Sequence, residues 1–198
     1  ECVWTTLESC ATGAVPRVTG ADRYSTAARL ADSFPAGSPV FSATGQAFPD
    51  TLAGTPAAAA KHAAILLTAP GTLPPATTAA RSKLAPSSIT ILGGTGAVSA
   101  AVATALSTYS SNVTRLSGSD RYATAAAIAN SAFPAATGVF LGTGAGFADA
   151  LTGGPVAGAA GQPLLLATVP CLPAATAAVV AADAPATVTL LGGTDVLG

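Results

Sequence analysis

The sequence RVTGADRY at residues 17–24 decides the fold, because it recurs as RLSGSDRY at residues 115–122, a shift of 98 residues. After one extra residue before Phe133 the shift becomes 99, and FPDTL at residues 48–52 then aligns with FADAL at residues 147–151. Near the end of each copy, LGGT at residues 92–95 aligns with LGGT at residues 191–194. The chain is therefore an internal duplication, and its other features are best interpreted copy by copy.

The duplication divides the chain into three parts. Residues 1–14 are an N-terminal extension, residues 15–112 are copy one, and residues 113–198 are copy two. Because the sequence stops where copy one begins its last predicted helix, we expect copy two to lack that helix.

Within copy one, short apolar runs alternate with alanine-rich stretches. Apolar runs without polar alternation are typical of strands covered on both faces, as in a parallel sheet. The sequence thus predicts an α/β fold of tandem Rossmann-like or flavodoxin-like βα repeats with parallel sheets, in which ligands collect at the carboxyl ends of the strands. The predicted strands are residues 16–19, 39–43, 64–68 and 88–92, and the predicted helices are residues 23–33, 51–62, 76–84 and 98–109.

Charge is scarce in this chain. Only 8 Lys and Arg and 9 Asp and Glu occur among 198 residues, with a net charge of −1. Such a chain has no basic field to neutralise phosphates, which argues against nucleic-acid binding and against attachment to an anionic membrane surface. Its strongly apolar runs are far shorter than the roughly 20 residues of a bilayer span, so we predict no membrane span.

Eight of the 17 charged side chains occupy equivalent positions in the two copies, which indicates a shared role. In one interpretation the aspartates cap helices and the arginines pair with them. In the other, the set lines a polar crevice for an anionic or hydroxyl-rich ligand. The eight residues are Arg17, Asp22, Arg23 and Asp50 in copy one, and Arg115, Asp120, Arg121 and Asp149 in copy two.

Cofactor and catalytic motifs are missing from the sequence. The glycine-rich loop at residues 94–99 has Ser99 where a dinucleotide fingerprint has its third glycine. Copy two has Asp195 where copy one has Gly96, and a carboxylate there would repel a pyrophosphate. The single histidine, His62, aligns with Gly161, and we expect it to face solvent near a helix end. We therefore predict no cofactor, no metal site and no catalytic residues.

The cysteines suggest one disulfide. Cys2 and Cys10 are close enough in sequence to close a small loop, so we predict that they pair and leave Cys171 unpaired. The alternative is that all three thiols are reduced in a cytosolic protein.

Taken together, these motifs resemble the cell-wall-binding repeat type 2 of Gram-positive surface proteins. The pattern runs R-V-T-G-x-D-R-Y, F-x-D-x-L-x-G, I-L-L-T, L-P and I-x-L-G-G-x-x-A-V-S, and it covers nearly the whole chain after Val15 twice over. The resemblance implies Rossmann-like repeats, usually three in tandem around a pseudo-threefold axis. It also implies non-catalytic, non-covalent anchoring of exported proteins to anionic secondary polymers of the cell wall.

The resemblance also implies site residues. Arg23, Arg121 and the four repeated aspartates match the polar signature of the family, and we expect all eight repeated charges to bind the ligand. Two aliphatic triplets match the family's characteristic motif, although from the residues alone each is a buried strand: Ile65, Leu66 and Leu67, and Leu164, Leu165 and Leu166. Since two copies are visible, a third repeat or a second identical chain would complete the assembly.

The leading hypothesis is a secreted, wall-attached module that carries a surface protein and binds an anionic glycopolymer or a peptidoglycan-linked polysaccharide. The alternative is a structural or self-assembling spacer in which the repeated Arg and Asp residues only join the copies. A third hypothesis is a carbohydrate-active enzyme that uses paired carboxylates such as Asp22 and Asp50 as acid and base.

Overall fold

Helices and strands alternate along residues 15–198, the part of the chain that this computed structural model describes. None of the helices in that part is long and apolar enough to cross a membrane. Copy one contains α1 (Arg23–Ala31), β1 (Val40–Thr44), α2 (Pro49–Ala60), β2 (Ala64–Thr68), α3 (Pro75–Leu84), β3 (Ile89–Leu92) and α4 (Ala100–Leu106). Copy two contains β4 (Val113–Leu116), α5 (Arg121–Ala132), β5 (Gly138–Thr143), α6 (Ala148–Ala159), β6 (Leu164–Ala167), α7 (Ala174–Asp183) and β7 (Thr187–Leu190).

The strands form two parallel sheets. Sheet A has the order β2-β1-β3-β4, and sheet B has the order β6-β5-β7. Strand β4 belongs to copy two in sequence, yet it pairs with β3 of copy one, with Ile89 opposite Val113 and Leu92 opposite Leu116. The predicted α/β fold of tandem βα repeats with parallel sheets is confirmed, and the first strand of copy two completes the sheet of copy one.

Helix α5 explains why the helices are so rich in alanine. On one side its Ala125 and Ile128 pack into the core of sheet A, together with Phe41. On another side its Ala126 and Ala129 pack into the core of sheet B. A helix packed between two sheets needs small side chains to approach both closely, and alanine also has the highest helix propensity.

The two aliphatic triplets lie in β2 and β6. Leu66 is fully buried and all three leucines at residues 164–166 are buried, whereas Ile65 and Leu67 are partly buried. Most of these side chains therefore belong to the cores of the sheets, and Leu67 reaches the surface near the site described below.

One predicted strand is wrong. Residues 16–19 form no strand in the structure, although their equivalents in copy two form most of β4. The physical reason is the partner: β4 is held by the exposed edge of β3 in the neighbouring copy, and residues 16–19 have no such strand beside them within residues 15–198. Equivalent segments of the two copies therefore differ, because only the one in copy two has a strand of a neighbouring sheet to pair with.

The predicted Cys2–Cys10 disulfide lies outside the described residues. Cys171 is exposed and forms no disulfide within residues 15–198. His62 is exposed and follows the end of α2, as predicted, in a left-handed conformation with φ of 50°. Its equivalent Gly161 has φ of 65°, so the two copies make the same turn after their second helix.

Candidate functional site

A groove of about 550 Å³ opens where the two copies meet, at the carboxyl ends of β1 and β2. We call it the seam groove, and we call the interface of copy one with copy two the seam. This is the edge of a parallel sheet at which ligands of α/β folds collect. Copy one contributes Arg23, Thr44, Gly45, Gln46, Ala47, Phe48, Thr51, Leu52 and Leu67, and copy two contributes Phe147 and Leu151.

Two equivalent phenylalanines face each other across the groove. The rings of Phe48 and Phe147 have centroids 5.8 Å apart and an interplanar angle of 57°, and Phe147 is exposed. Polar groups lie around them on the side chains of Arg23, Gln46 and Thr51. Apolar ring faces beside a few hydrogen-bonding groups are the usual composition of a small-molecule or saccharide site.

Arg23 and Arg121 each clamp the loop that follows a strand of their own copy. Arg23 Nη1 donates to the carbonyl of Gly45 at 2.5 Å, and Arg121 Nη1 donates to the carbonyl of Gly144 at 2.5 Å. Both loop residues must be glycine, since a Cβ on Gly45 would lie 2.6 Å from the Tyr24 ring. The two copies therefore close the same turn with the same residues, and Arg23 alone of the two lines the seam groove.

Asp22 and Asp120 cap helices. Asp22 Oδ1 accepts hydrogen bonds from Ser25 N at 2.7 Å and Ser25 Oγ at 2.6 Å, while the N–H of Asp22 donates to Ser25 Oγ. Asp120 Oδ1 accepts from Ala123 N at 2.8 Å. The N-cap interpretation is confirmed for Asp22, and these two carboxylates satisfy orphan N–H groups at the starts of α1 and α5.

For Asp50 the N-cap interpretation is wrong. Helix α2 begins at Pro49 with Phe48 as its N-cap, so Asp50 lies inside the first turn. Pro49 suits this first position because it has no N–H to satisfy and its φ already matches a helix, and the equivalent α6 starts at the same position with Ala148 and with Phe147 as its N-cap. The Asp50 carboxylate instead contacts Gly93, whose φ is +96°, and lies near Arg121 of copy two.

Asp149 takes the same position in copy two, where a Cβ on Gly192 would lie 2.8 Å from its Oδ2. It lines a second cavity, of about 430 Å³, together with Asp195 and Val196. No basic side chain lines this cavity among the described residues. Asp149 therefore shares its cavity with another aspartate, whereas Asp50 lies near an arginine.

Arg115 crosses the seam. Its Nη1 donates to the carbonyl of Gly93 at 2.6 Å and its Nη2 to the carbonyl of Val98 at 2.8 Å, both in copy one. Burial lowers the pKa of Arg115 from its usual value. This guanidinium fastens the first strand of copy two to the glycine-rich loop of copy one. Its equivalent Arg17 is exposed, on the segment before α1.

The structure thus separates the eight repeated charges into groups with different surroundings. Arg23 lies in the seam groove, and Arg115, Arg121 and Asp50 lie along the seam. Asp22 and Asp120 cap helices, Asp149 lines the second cavity, and Arg17 is exposed before α1. The phenylalanines of the groove were not singled out from the sequence. The sequence does contain a feature that could have identified them: Phe48 and Phe147 are aromatic residues at equivalent loop positions in a chain with only 5% aromatic residues.

We expect Asp50→Asn to change how stability depends on pH. Burial raises the pKa of Asp50 above 3.8, and Arg121 opposes this rise only in part. A carboxyl whose pKa is higher in the folded state lowers stability once it ionises, and that cost disappears as the pH falls toward 3.8. In urea titrations from pH 7 to pH 3.5, the variant should gain most over wild type at neutral pH, and the gain should shrink on acidification.

Asp22→Asn is the matched comparison, because the pKa of Asp22 is lowered in the folded protein whereas that of Asp50 is raised. Hydrogen bonds from the Ser25 hydroxyl and then from the Ser25 N–H lower the pKa of Asp22. Its ionised form adds stability above pH 3.8, which is lost as the pH falls through its lowered pKa. Parallel pH profiles for wild type and Asp50→Asn would contradict the assignment of Asp50 as the buried seam carboxylate.

Comparisons with known proteins agree on one kind of module. The family model described as "Cell wall binding domain 2" matches residues 17–103 and 115–198. The chain is 29% identical over 185 residues to the N-acetylmuramoyl-L-alanine amidase LytC of Bacillus subtilis, which covers 93% of this chain and 37% of that protein.

Two solved structures share the fold. Cwp6 from Clostridium difficile superposes with a TM-score of 0.82 at 27% identity, over 95% of this chain and 32% of that one. Cwp8 from Clostridium difficile superposes with a TM-score of 0.83 at 28% identity, over 100% of this chain and 34% of that one. The chain therefore spans about a third of the length of the relatives it matches.

Proposed function

Because the chain belongs to the cell wall binding domain 2 family, it is a cell-wall-binding module, and we propose that its seam groove holds an anionic glycopolymer of the wall. The observation that supports this location is the facing pair Phe48 and Phe147 beside Arg23, at the carboxyl ends of the strands. Sugar rings stack their C–H faces on aromatic rings, and a guanidinium forms bidentate hydrogen bonds with phosphate or carboxylate groups.

Arg23 is the side chain best placed to meet a charged group. Within residues 15–198 it makes one hydrogen bond, to the carbonyl of Gly45, and a guanidinium carries five N–H donors. The clamp fixes the side chain in place, so little rotamer entropy would be lost when a ligand binds. The hydroxyl of Thr51 and the amide of Gln46 lie in the same groove and supply partners for sugar hydroxyls.

The other repeated charges have supporting roles in this proposal. Arg115 and Arg121 hold the walls of the seam by their carbonyl clamps, and Asp22 and Asp120 fix the starts of the helices that carry the clamping arginines. Ligand contact through Arg17, Asp50 or Asp149 would lie outside the seam groove, since none of them lines it.

The proposal also covers the organisation of the protein. Residues 15–112 and 113–198 act as two wall-binding repeats of a secreted, non-catalytic module that attaches a surface protein to the wall. The Clostridium difficile relatives are named as Cwp proteins, and the amidase LytC matches over 37% of its length, which supports attachment of such repeats to different effectors.

We expect Arg23→Ala to weaken binding to purified walls roughly tenfold, because one charge-assisted hydrogen bond to the polymer is lost. Co-sedimentation with Gram-positive cell walls measures this directly. Acid extraction of the secondary polymers should abolish binding of the wild type. Undiminished binding to stripped walls, or no binding to intact walls, would refute the proposal.

Arg121→Ala is the matched control. Arg121 makes the same carbonyl clamp as Arg23 but does not line the seam groove. Arg121→Ala should lose at least as much thermal stability as Arg23→Ala, because it also leaves Asp50 without its neighbouring cation. Only Arg23→Ala should lose wall affinity at a temperature where both are folded. Equal losses of affinity would favour a structural role for both arginines.

A spacer is the second candidate function, and the carbonyl clamps favour it. Arg23, Arg115 and Arg121 all donate to backbone carbonyls, which is what residues that only join repeats would do. A spacer predicts that these variants change melting temperature while no variant of the groove changes wall binding. Phe147→Ser tests this, because the exposed ring contributes little to the core.

A further inference from the structure

A second groove of copy one lies between the helices α1 and α3. It has a volume of about 240 Å³, and alanines of both helices form much of its lining. Three charged side chains lie along it: Arg29 on α1, Asp32 at the C-cap of α1, and Lys83 on α3. We call it the outer groove.

The outer groove is separate from the surfaces through which the two copies contact each other. In copy two, α5 packs between the two sheets, so its inner sides are covered. The outer positions of α5 and α7 nevertheless stay exposed: Asn130, Ala178 and Ala182, the equivalents of Asp32, Ala79 and Lys83. Packing of α1 against another repeat would therefore leave the outer groove accessible to a large ligand.

Two cations share one carboxylate in the outer groove. Lys83 Nζ lies 2.6 Å from Asp32 Oδ1, and both side chains are exposed. The hydrogen bond from Lys83 lowers the pKa of Asp32, and the nearby charge of Arg29 adds to this effect. The guanidinium of Arg29 forms no ion pair within residues 15–198, so its N–H donors are available to an anionic ligand.

A third cation lies on the inner side of α3. Arg81 is fully buried, and its Nη2 donates to Ser42 Oγ at 2.7 Å. Its Nε and Nη1 have no hydrogen-bond partner among the described residues, and no carboxylate there forms an ion pair with it. Charges act over longer distances in a protein interior than in salt water, so Arg81 adds to the positive potential of α3.

The fold does not require these charges. Copy two packs the same two helices with neutral residues at all four positions: Arg29, Asp32, Arg81 and Lys83 correspond to Ala127, Asn130, Val180 and Ala182. A buried guanidinium with unsatisfied donors also costs free energy of folding. Such departures from what the fold needs are expected where a protein uses a surface for its function.

We propose that the outer groove is a second binding site for an anionic glycopolymer of the wall, in which Arg29 and Lys83 contact the charged groups of the chain. This inference rests on the proposed function for the kind of polymer, but it uses other residues, since no residue that lines the outer groove also lines the seam groove. Two modest sites on one polymer raise its effective concentration at each site, so the outer groove strengthens attachment without being a tight site itself.

Asp32→Asn gives the most specific test, because it should strengthen binding. It removes the carboxylate that competes with the polymer for Lys83, and copy two already has an asparagine at this position, Asn130. In co-sedimentation with purified Gram-positive walls at about 0.01 M salt, we expect affinity to rise about threefold. A folding defect would not produce such a gain.

Arg29→Gln should have the opposite effect and lower wall affinity about threefold at about 0.01 M salt. Both differences should disappear at about 1 M salt, where exposed charges are screened within about 3 Å. Lys61→Gln is the matched control, because it also removes one exposed cation of copy one but lies at the end of α2, outside the outer groove. It should bind walls as the wild type does.

The outcomes separate this inference from the proposed function. If the wild type binds walls and neither Asp32→Asn nor Arg29→Gln changes that binding, the inference is overturned and the proposed function stands. Equal losses in Arg29→Gln and Lys61→Gln also overturn it, because only net charge would then matter. Poly-L-glutamate binding that Arg29→Gln weakens, with unchanged wall binding, would identify an acidic protein segment as the occupant instead. A wild type that binds no walls overturns the proposed function and this inference together.

Discussion

Replacing Arg81 and Ser42 together, by Arg81→Val with Ser42→Leu, should stabilise the protein by about 1–4 kcal/mol. Arg81 of α3 is fully buried, and burial lowers its pKa to about 10. Its Nη2 donates to Ser42 Oγ at 2.7 Å, but its Nε and Nη1 have no partner among the described residues. A buried cation with no carboxylate beside it costs free energy that one hydroxyl cannot offset.

Copy two already has aliphatic residues at these two positions. The equivalents of Arg81 and Ser42 are Val180 and Leu141, and both pack in the core of sheet B. The same layer of the same fold therefore accepts an aliphatic pair. Urea unfolding should show a higher midpoint with an unchanged slope, and melting should rise by roughly 2–4 °C for each kcal/mol.

The single variant Ser42→Ala is the control for this pair. It removes the hydrogen-bond partner of Arg81 and leaves the guanidinium in place, so it should destabilise the protein by about 1–3 kcal/mol. The double variant should therefore raise stability and Ser42→Ala should lower it, although both remove the same hydrogen bond. A double variant less stable than wild type would show that the buried guanidinium contributes more than its one observed contact.

Local pattern predicted most of the fold. The apolar runs of copy one became β1, β2 and β3 within a residue at each end, because each of these strands lies inside a sheet of its own copy. Residues 16–19 have an equally good pattern and form no strand, since that pattern is used only where a neighbouring copy presents an edge. The local sequence shows that a segment can form a strand, but whether it does so depends on a neighbouring copy that offers a strand to pair with.

The site was harder to predict than the fold. Repetition marked the Arg and Asp residues, but it could not tell a helix cap such as Asp22 from the seam carboxylate Asp50, because both precede helical stretches. Proline at the first helical position favours a start at residue 49, but α6 starts at the equivalent Ala148, so Pro49 alone does not determine the start. The partners of Arg23 and Arg115 are backbone carbonyls, which no sequence pattern identifies.

In contrast to the stabilising replacement of Arg81 and Ser42, Gly158→Leu should destabilise the protein by about 3 kcal/mol or more. A Cβ on Gly158 of α6 would lie 2.7 Å from Ala59 Cβ and 3.2 Å from Pro56 Cα of α2. The backbone of α2 cannot move aside as a side-chain tip can, so the two helices must separate. Urea unfolding measures the loss.

Gly154 is the matched control, one turn earlier on the same helix. A Cβ there would lie 3.3 Å from Thr55 Cβ, a distance that a small shift relieves. Gly154→Ala should be nearly neutral, because the roughly 1 kcal/mol of helix propensity that alanine adds offsets the tighter contact. Gly158→Ala gains the same propensity and should still be less stable than Gly154→Ala.

The two glycines share a further property that makes the comparison informative. Gly158 faces Ala59 and Gly154 faces Thr55, and in each case the facing residue holds the same position in copy one. Equivalent positions of α2 and α6 therefore meet at the centre of the seam, where both helices must be thin. If Gly158→Leu were tolerated, the helices could slide apart without cost, and the seam would depend on the Arg115 clamp and the shared helix α5 rather than on this contact.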